Sequence, residues 1–211
     1  MSSLYDIAWL LNVRGGDISY VPVVLSYLAL SQDSCIWFLQ EEVVTETLKA
    51  YLDKNGIQTR PYDDFYEYVK HIDEKETVLL NTSIVNYRIC DSLPDGVKVI
   101  DAEDPTVVMK AVKNEVQLEN LRKAHLKDAV AMCKFMYWLK TNIGKIPMTE
   151  ISASDYLASL RAEQEGFLDL SFATICGYAD HGAIVHYSAT EESDRPVSYT
   201  HLRAHETLSD L

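Results

Sequence analysis

From Asn114 to about Asn142 the chain sets Leu118, Leu121, His125, Ala129, Met132, Met136 and Leu139 at spacings of three and four. That period belongs to one long α-helix with a single apolar stripe, which has to be buried against another element. Asn114 suits the N-cap, and Gly144 and Pro147 end the helix. His125 lies on the stripe and reads as a core or helix-junction histidine rather than a catalytic one. Thr149-Glu-Ile-Ser is expected to be followed by a helix through about Glu165, with Gly166 as its stop. Upstream, Pro105 fits a helical first turn capped by Asp104, and Val107–Val112 continue it.

Ahead of that helical part, up to about Asp104, strand and helix signals alternate. Val23–Leu30 and Cys35–Leu39 read as strands joined by the turn Ser31-Gln-Asp-Ser34. Glu42–Lys54 reads as a helix closed by Asn55-Gly56, a pair suited to a left-handed cap. Ile57–Pro61 is extended, Asp63–Ile72 is an aromatic-rich helix, and Val78–Leu80 and Val97–Ile100 are short buried strands. Such alternation gives an α/β layer, with α+β character once the helical part is added. Trp9, Trp37 and most tyrosines read as core and rim packing rather than as an interface.

Composition excludes several partners. The net charge of −13 opposes nucleic acid and anionic membrane surfaces, both of which recruit basic patches. No apolar run approaches the roughly 20 residues of a membrane span. Residues 1–20 lack the basic start, apolar core and cleavage pattern of a secretory signal. Cys35, Cys90, Cys133 and Cys176 are widely spaced in apolar contexts and no pair has metal spacing, so they read as reduced, mostly buried thiols of a cytoplasmic protein.

The chemistry-bearing stretch is Ser171-Phe-Ala-Thr-Ile-Cys-Gly-Tyr-Ala-Asp-His-Gly-Ala-Ile-Val-His-Tyr-Ser-Ala-Thr190. Ile184–Tyr187 reads as a short strand, punctuated by Gly177 and Gly182, which allow tight backbone approach or positive φ. An imidazole at its end, His186, can donate to a substrate carbonyl or move a proton near neutral pH. Its plain alternative is a core histidine satisfied by a backbone carbonyl. His181 sits in a turn-like Asp-His-Gly and can equally be a solvated side chain.

Ser171-Phe172, Gly177, Gly182-Ala-Ile184 and His186-Tyr187 together resemble the opening of the catalytic domain of Xaa-Pro aminopeptidases, long-form members of the creatinase and methionine-aminopeptidase-like "pita-bread" metallopeptidases. Asp6-Ile-Ala-Trp-Leu-Leu-Asn-Val-Arg-Gly15 resembles the start of their middle, creatinase-like domain. Lys113–Asp128 resembles the linker helix that enters the catalytic domain. The resemblance implies a creatinase-like α/β domain at 1–104 with its first strand missing, then an incomplete pita-bread domain at 105–197. It implies hydrolysis of the bond between an N-terminal residue and proline in Pro-containing peptides. The resemblance further implies two divalent metals, typically manganese, for that reaction, and a homodimer for the full-length protein. His186 matches the family histidine that contacts substrate and the transition state, and His181 is a weaker substrate-side candidate.

The family's metal ligands are two Asp, one His and two Glu, all beyond the His-Tyr strand. None is found here, so this chain is expected to be a fragment truncated at both ends, to hold no metal and to be inactive alone. Ser198–Leu211 has no family counterpart and reads as a foreign tail resembling translated sequencing-adapter text. His201, His205 and Glu206 fall in that tail and are not taken as a metal site. The alternative to an enzyme fragment is a non-catalytic peptide- or protein-binding module on a dead peptidase fold.

Overall fold

A computed structural model describes residues 1–198. The chain divides into two compact units, with the boundary between Lys113 and Asn114. The first opens with helix α1 (Leu4–Leu11), whose N-cap Ser3 accepts a hydrogen bond from the Asp6 amide. Strands β1 (Tyr27–Leu30) and β2 (Cys35–Leu39) form an antiparallel hairpin, with Tyr27 opposite Phe38 and Leu30 opposite Cys35. The hairpin is closed by Ser31 N–H donating to the Ser34 carbonyl. Helix α2 (Glu46–Lys54), capped by Thr45, carries the chain to β3 (Ile57–Pro61), which pairs parallel to β2. Gly56 takes the left-handed φ of 69° that ends α2.

β2 is the central strand, and its alternation builds two cores. Trp37 and Leu39 pack with Ile7, Leu11, Leu28, Leu52 and Ile57 on one face. Ile36 and Phe38 pack with Tyr27, Phe65, Val69, Leu80 and Ile89 on the other. That second face is covered by α3 (Asp64–Lys70), β4 (Thr77–Leu80) and α4 (Tyr87–Ser92). β4 and β5 (Lys98–Asp101) form a separate two-stranded parallel sheet.

The expected division at 104/105 differs from the observed one. Helix α5 (Pro105–Ala111), capped by Asp104, belongs to the first unit. It packs on α1, and Lys110 Nζ lies 2.8 Å from the buried Asp6 carboxylate. Two further elements, α1 and α4, were not anticipated. The strand expected at Val23–Leu30 is ordered as a strand only from Tyr27, and the helix expected from Glu42 starts at Glu46 after a 3-10 turn at Glu41–Val43.

The second unit is built on α6 (Glu115–Asn142) and α7 (Glu150–Ala162). Asn114 and Gln117 close a capping box at the start of α6, and Thr149 and Ser152 do the same for α7. The buried face of α6 is Ala131, Phe135 and Leu139, packed with Met148, Ala153, Leu157, Leu160, Cys176 and Val197. This corrects the expected stripe. Leu121, His125, Ala129 and Met136 are exposed, and the seam runs one residue earlier than Met132 and Met136. Ala131 and Ala153 are both fully buried in this cluster, and small residues permit the closer approach that two methionines would prevent. The first half of α6 buries no residue. The cysteines are free, but only Cys176 is buried, Cys133 being exposed and the other two half-buried. Among the described residues no helix is long and apolar enough to cross a membrane. The expected foreign tail, with His201 and His205, lies outside the described residues apart from Ser198.

Candidate functional site

The site grows from the first turn of α7. The capping box fixes the backbone there, and residues 194–197 lie across it. Glu150 N–H donates to the Arg195 carbonyl, Val197 N–H donates to the Met148 carbonyl, and Ile151 N–H donates to the Asp194 carboxylate. Glu150, the first residue of α7, is 0% exposed. A charge at full burial demands donors, and residues 178–195 supply them. The Tyr178 amide reaches Oε1 at 2.5 Å, and the Tyr187 hydroxyl reaches Oε2 at 2.9 Å. His181 Nδ1 lies 3.0 and 3.1 Å from the two oxygens, and the Arg195 amide lies 3.3 Å from Oε2. Burial by itself raises a carboxyl group. Here the Tyr178 N–H, the Tyr187 hydroxyl and His181 outweigh it, and Glu150 is held below the usual carboxylate range.

Around this carboxylate the motif folds into a compact loop. Residues 179–183 form a 3-10 turn. A Cβ on Gly177 would stand 3.0 Å from the Gly182 amide and the His181 carbonyl, so the glycine serves close approach rather than positive φ. The His181 and Tyr187 rings lie 4.4 Å apart. Outside the cluster Arg195 pairs with Asp180. Burial first, then the charges of Glu150 and Asp194, push the Cys176 thiol up to about 11, so it stays neutral at physiological pH.

Two expectations are corrected here. Ile184–Tyr187 is not a strand: it forms a turn, with His186 at a φ of 55° and Val185 73% exposed. A strand exists only through its ladder, and among the described residues none lies beside this segment. His181 is not a solvated turn residue, since it is buried and bound to Glu150. His186 itself is exposed on the turn. Sequence reading missed Glu150. In Thr149-Glu-Ile-Ser it reads as an ordinary acidic residue in a helical first turn, and no local pattern announces that it points inward.

The described residues do not fit a metal pair. Among the described residues no group of three or more His, Cys, Asp or Glu side chains gathers to hold an ion, and both Glu150 oxygens are already engaged by donors.

Residues 1–117 match the creatinase/prolidase N-terminal domain family, and residues 119–208 match metallopeptidase family M24. The chain therefore belongs to the creatinase and M24 peptidase family, the pita-bread class. Within that class the similar proteins are Xaa-Pro aminopeptidases. A probable Xaa-Pro aminopeptidase P of Sordaria macrospora is 35% identical over 198 residues, covering 89% of this chain and 32% of the relative. Xaa-Pro aminopeptidase 1 of Dictyostelium discoideum is 32% identical over 204 residues, covering 93% of this chain and 32% of its own. A crystal structure of X-prolyl aminopeptidase from Caenorhabditis elegans, described as a cytosolic enzyme with a di-nuclear active site, superposes with a TM-score of 0.83 at 28% identity. It covers 92% of this chain, which in turn covers 33% of it. The chain thus spans about a third of the length of the relatives it matches.

Proposed function

We propose that this chain is the creatinase-like domain and the opening of the catalytic domain of a Xaa-Pro aminopeptidase. The whole protein would hydrolyse the bond between an N-terminal residue and proline. The carrying observation is the ordered pair of family matches along one chain, with the C. elegans structure superposing across both. In this reading His186 contacts the substrate and stabilises the transition state. Its turn is flanked by Tyr187 and His181, both tied to the buried Glu150. A fixed donor beside the reacting carbonyl is the arrangement such stabilisation requires. His181, with Nδ1 engaged by Glu150, keeps Nε2 as its nitrogen for a substrate. A cytoplasmic location agrees with the cytosolic description of the C. elegans enzyme. Homodimerisation and the choice of manganese rest on the family resemblance.

Two divalent metals would activate water and polarise the scissile carbonyl in the whole protein. Residues 1–198 offer them no ligand set, so the chain alone is expected to be inactive. Purified chain given a Xaa-Pro peptide and excess manganese should show background hydrolysis, and chelator-sensitive turnover would refute this. The function itself is tested by grafting residues 1–197 in place of the matching part of the Dictyostelium enzyme. The chimera should hydrolyse Xaa-Pro peptides. His186→Ala in it should lower kcat and kcat/KM together by about 10²–10³-fold with metal content unchanged. Loss of metal instead would make His186 a ligand.

A second reading, a peptide- or protein-binding module without turnover, has one observation in its favour. An open cleft of about 870 Å³ runs beside α6, with Lys123, Lys127, Asp128, Arg161, Phe167 and Phe172 on its walls. A folded but inactive chimera, together with calorimetric binding of a Pro-containing peptide by this chain, would replace the enzyme reading with this one.

A further inference from the structure

The motif that ends in Asn12-Val-Arg-Gly15 has no part in the site above, yet it forms the wall of a second cavity. This space of about 580 Å³ lies within the first unit, between the end of α1, strand β2 and the start of α2. Gly15 is required there: a Cβ would meet Val24 Cγ2 at 2.4 Å and the Val23 carbonyl at 2.8 Å. Three observations give the cavity a chemical character. Trp37 lines it, is 0% exposed, and among the described residues its indole Nε1–H has no hydrogen-bond partner. A buried donor left unmade is uncommon in native folds and calls for an acceptor. Arg14 also lines it. Its Nη1 donates to the Ala8 and Val13 carbonyls, which fixes the guanidinium, while among the described residues no hydrogen bond engages Nε or Nη2. Asp17 lines it too, with Oδ2 accepting from the Leu25 amide and no cation within pairing distance among the described residues. The remaining wall includes Val13, Val24 and Leu48, which are apolar.

We propose that this cavity binds a small zwitterion with an apolar side chain, a free amino acid or a short peptide. A fixed cation and a fixed anion line one space without pairing with each other. The ligand carboxylate takes the free edge of Arg14, a bidentate geometry that guanidinium groups favour. The ligand ammonium takes Asp17. The side chain lies on Val24 and Leu48 with Trp37 behind them, and the fully buried indole has to shift toward the ligand for the carboxylate or a peptide carbonyl to accept from its N–H. The proposal is independent of the peptidase reading, since every residue it uses lies in the first unit.

The test titrates the 211-residue chain with L-leucine and follows the Trp37 indole ¹H–¹⁵N resonance, assigned by its absence in Trp37→Phe. The resonance should shift saturably. N-acetyl-leucine, which lacks the ammonium, and leucinamide, which lacks the carboxylate, should each bind about tenfold more weakly or worse. Arg14→Gln and Asp17→Asn, at exposed side chains, should weaken leucine by a similar factor. The two blocked ligands carry the same test with no substitution at all. A Trp37 resonance that leucine does not move saturably would overturn the proposal and make the cavity a water-filled space. Equal binding of leucine and both blocked analogues would overturn it as well.

Discussion

Glu150 shows how one side chain can organise a site without reacting in it. The carboxylate is fully buried and accepts from two backbone amides, a phenol and an imidazole. Hydrogen bonds to a charged group are worth more than neutral ones, and removing the charge leaves the donors desolvated. Glu150→Gln should therefore destabilise the second unit by about 2–3 kcal/mol, read from a shift in the denaturation midpoint. An unchanged midpoint would mean that the network is dispensable. The pH dependence carries a definite sign. The folded carboxyl lies below its ordinary value of 4.5, so the unfolded chain binds the proton more readily. Its stabilising contribution is complete above about pH 4.5 and is lost as pH falls further, through the folded value. Acid denaturation followed between pH 5 and 3 should show a steeper loss in the native chain than in Glu150→Gln, and parallel curves would exclude this account.

At the scale of elements, the loop 171–197 depends on close backbone approach. Gly177→Ala would force a Cβ to 3.0 Å from the Gly182 amide and the His181 carbonyl carbon and oxygen, atoms that cannot rotate away. A cost of about 1–3 kcal/mol is expected, together with loss of hydrogen-exchange protection at the Tyr178 and His181 amides. Retained protection there would show that the loop can open without penalty. Much of the element structure was legible in the sequence. Asn114 and Asp104 cap helices where their residue types placed them, and the hairpin at Ser31–Ser34 follows from turn chemistry between apolar runs. The seam of α6 was not legible, because periodicity fixes a face only to within a neighbouring row, and the choice of row rests on α7 and the later residues that pack against it. Helix α1 was missed since Leu4–Leu11 is mostly apolar and shows little of the polar alternation that marks an amphipathic helix. The turn at Ile184–Tyr187 was misread because β-branched composition reports a fit to pleated surfaces, not the presence of a neighbouring strand. Glu150 was invisible for a related reason: its donors are remote in sequence, and only the folded chain brings them together.

At the scale of the whole molecule, each unit carries its own core. Phe135→Ala, at a fully buried position in the second unit, should cost about 3–5 kcal/mol. Hydrogen exchange should then collapse across α6 and α7 while β1 and β2 keep their protection, and simultaneous loss in both would show a single cooperative fold. The Glu150 network has a consequence for the order of folding as well. Its partners lie 28 to 45 positions away in the chain, whereas α6 and α7 are sequential helices joined by a short connection. Local contacts close sooner than distant ones because the entropy of loop closure must be met first. The helical pair is thus expected to be the early nucleus, with residues 171–197 settling onto it afterwards, so Glu150→Gln should quicken unfolding by about 30- to 150-fold, the equivalent of its whole 2–3 kcal/mol, and leave the refolding rate nearly unchanged.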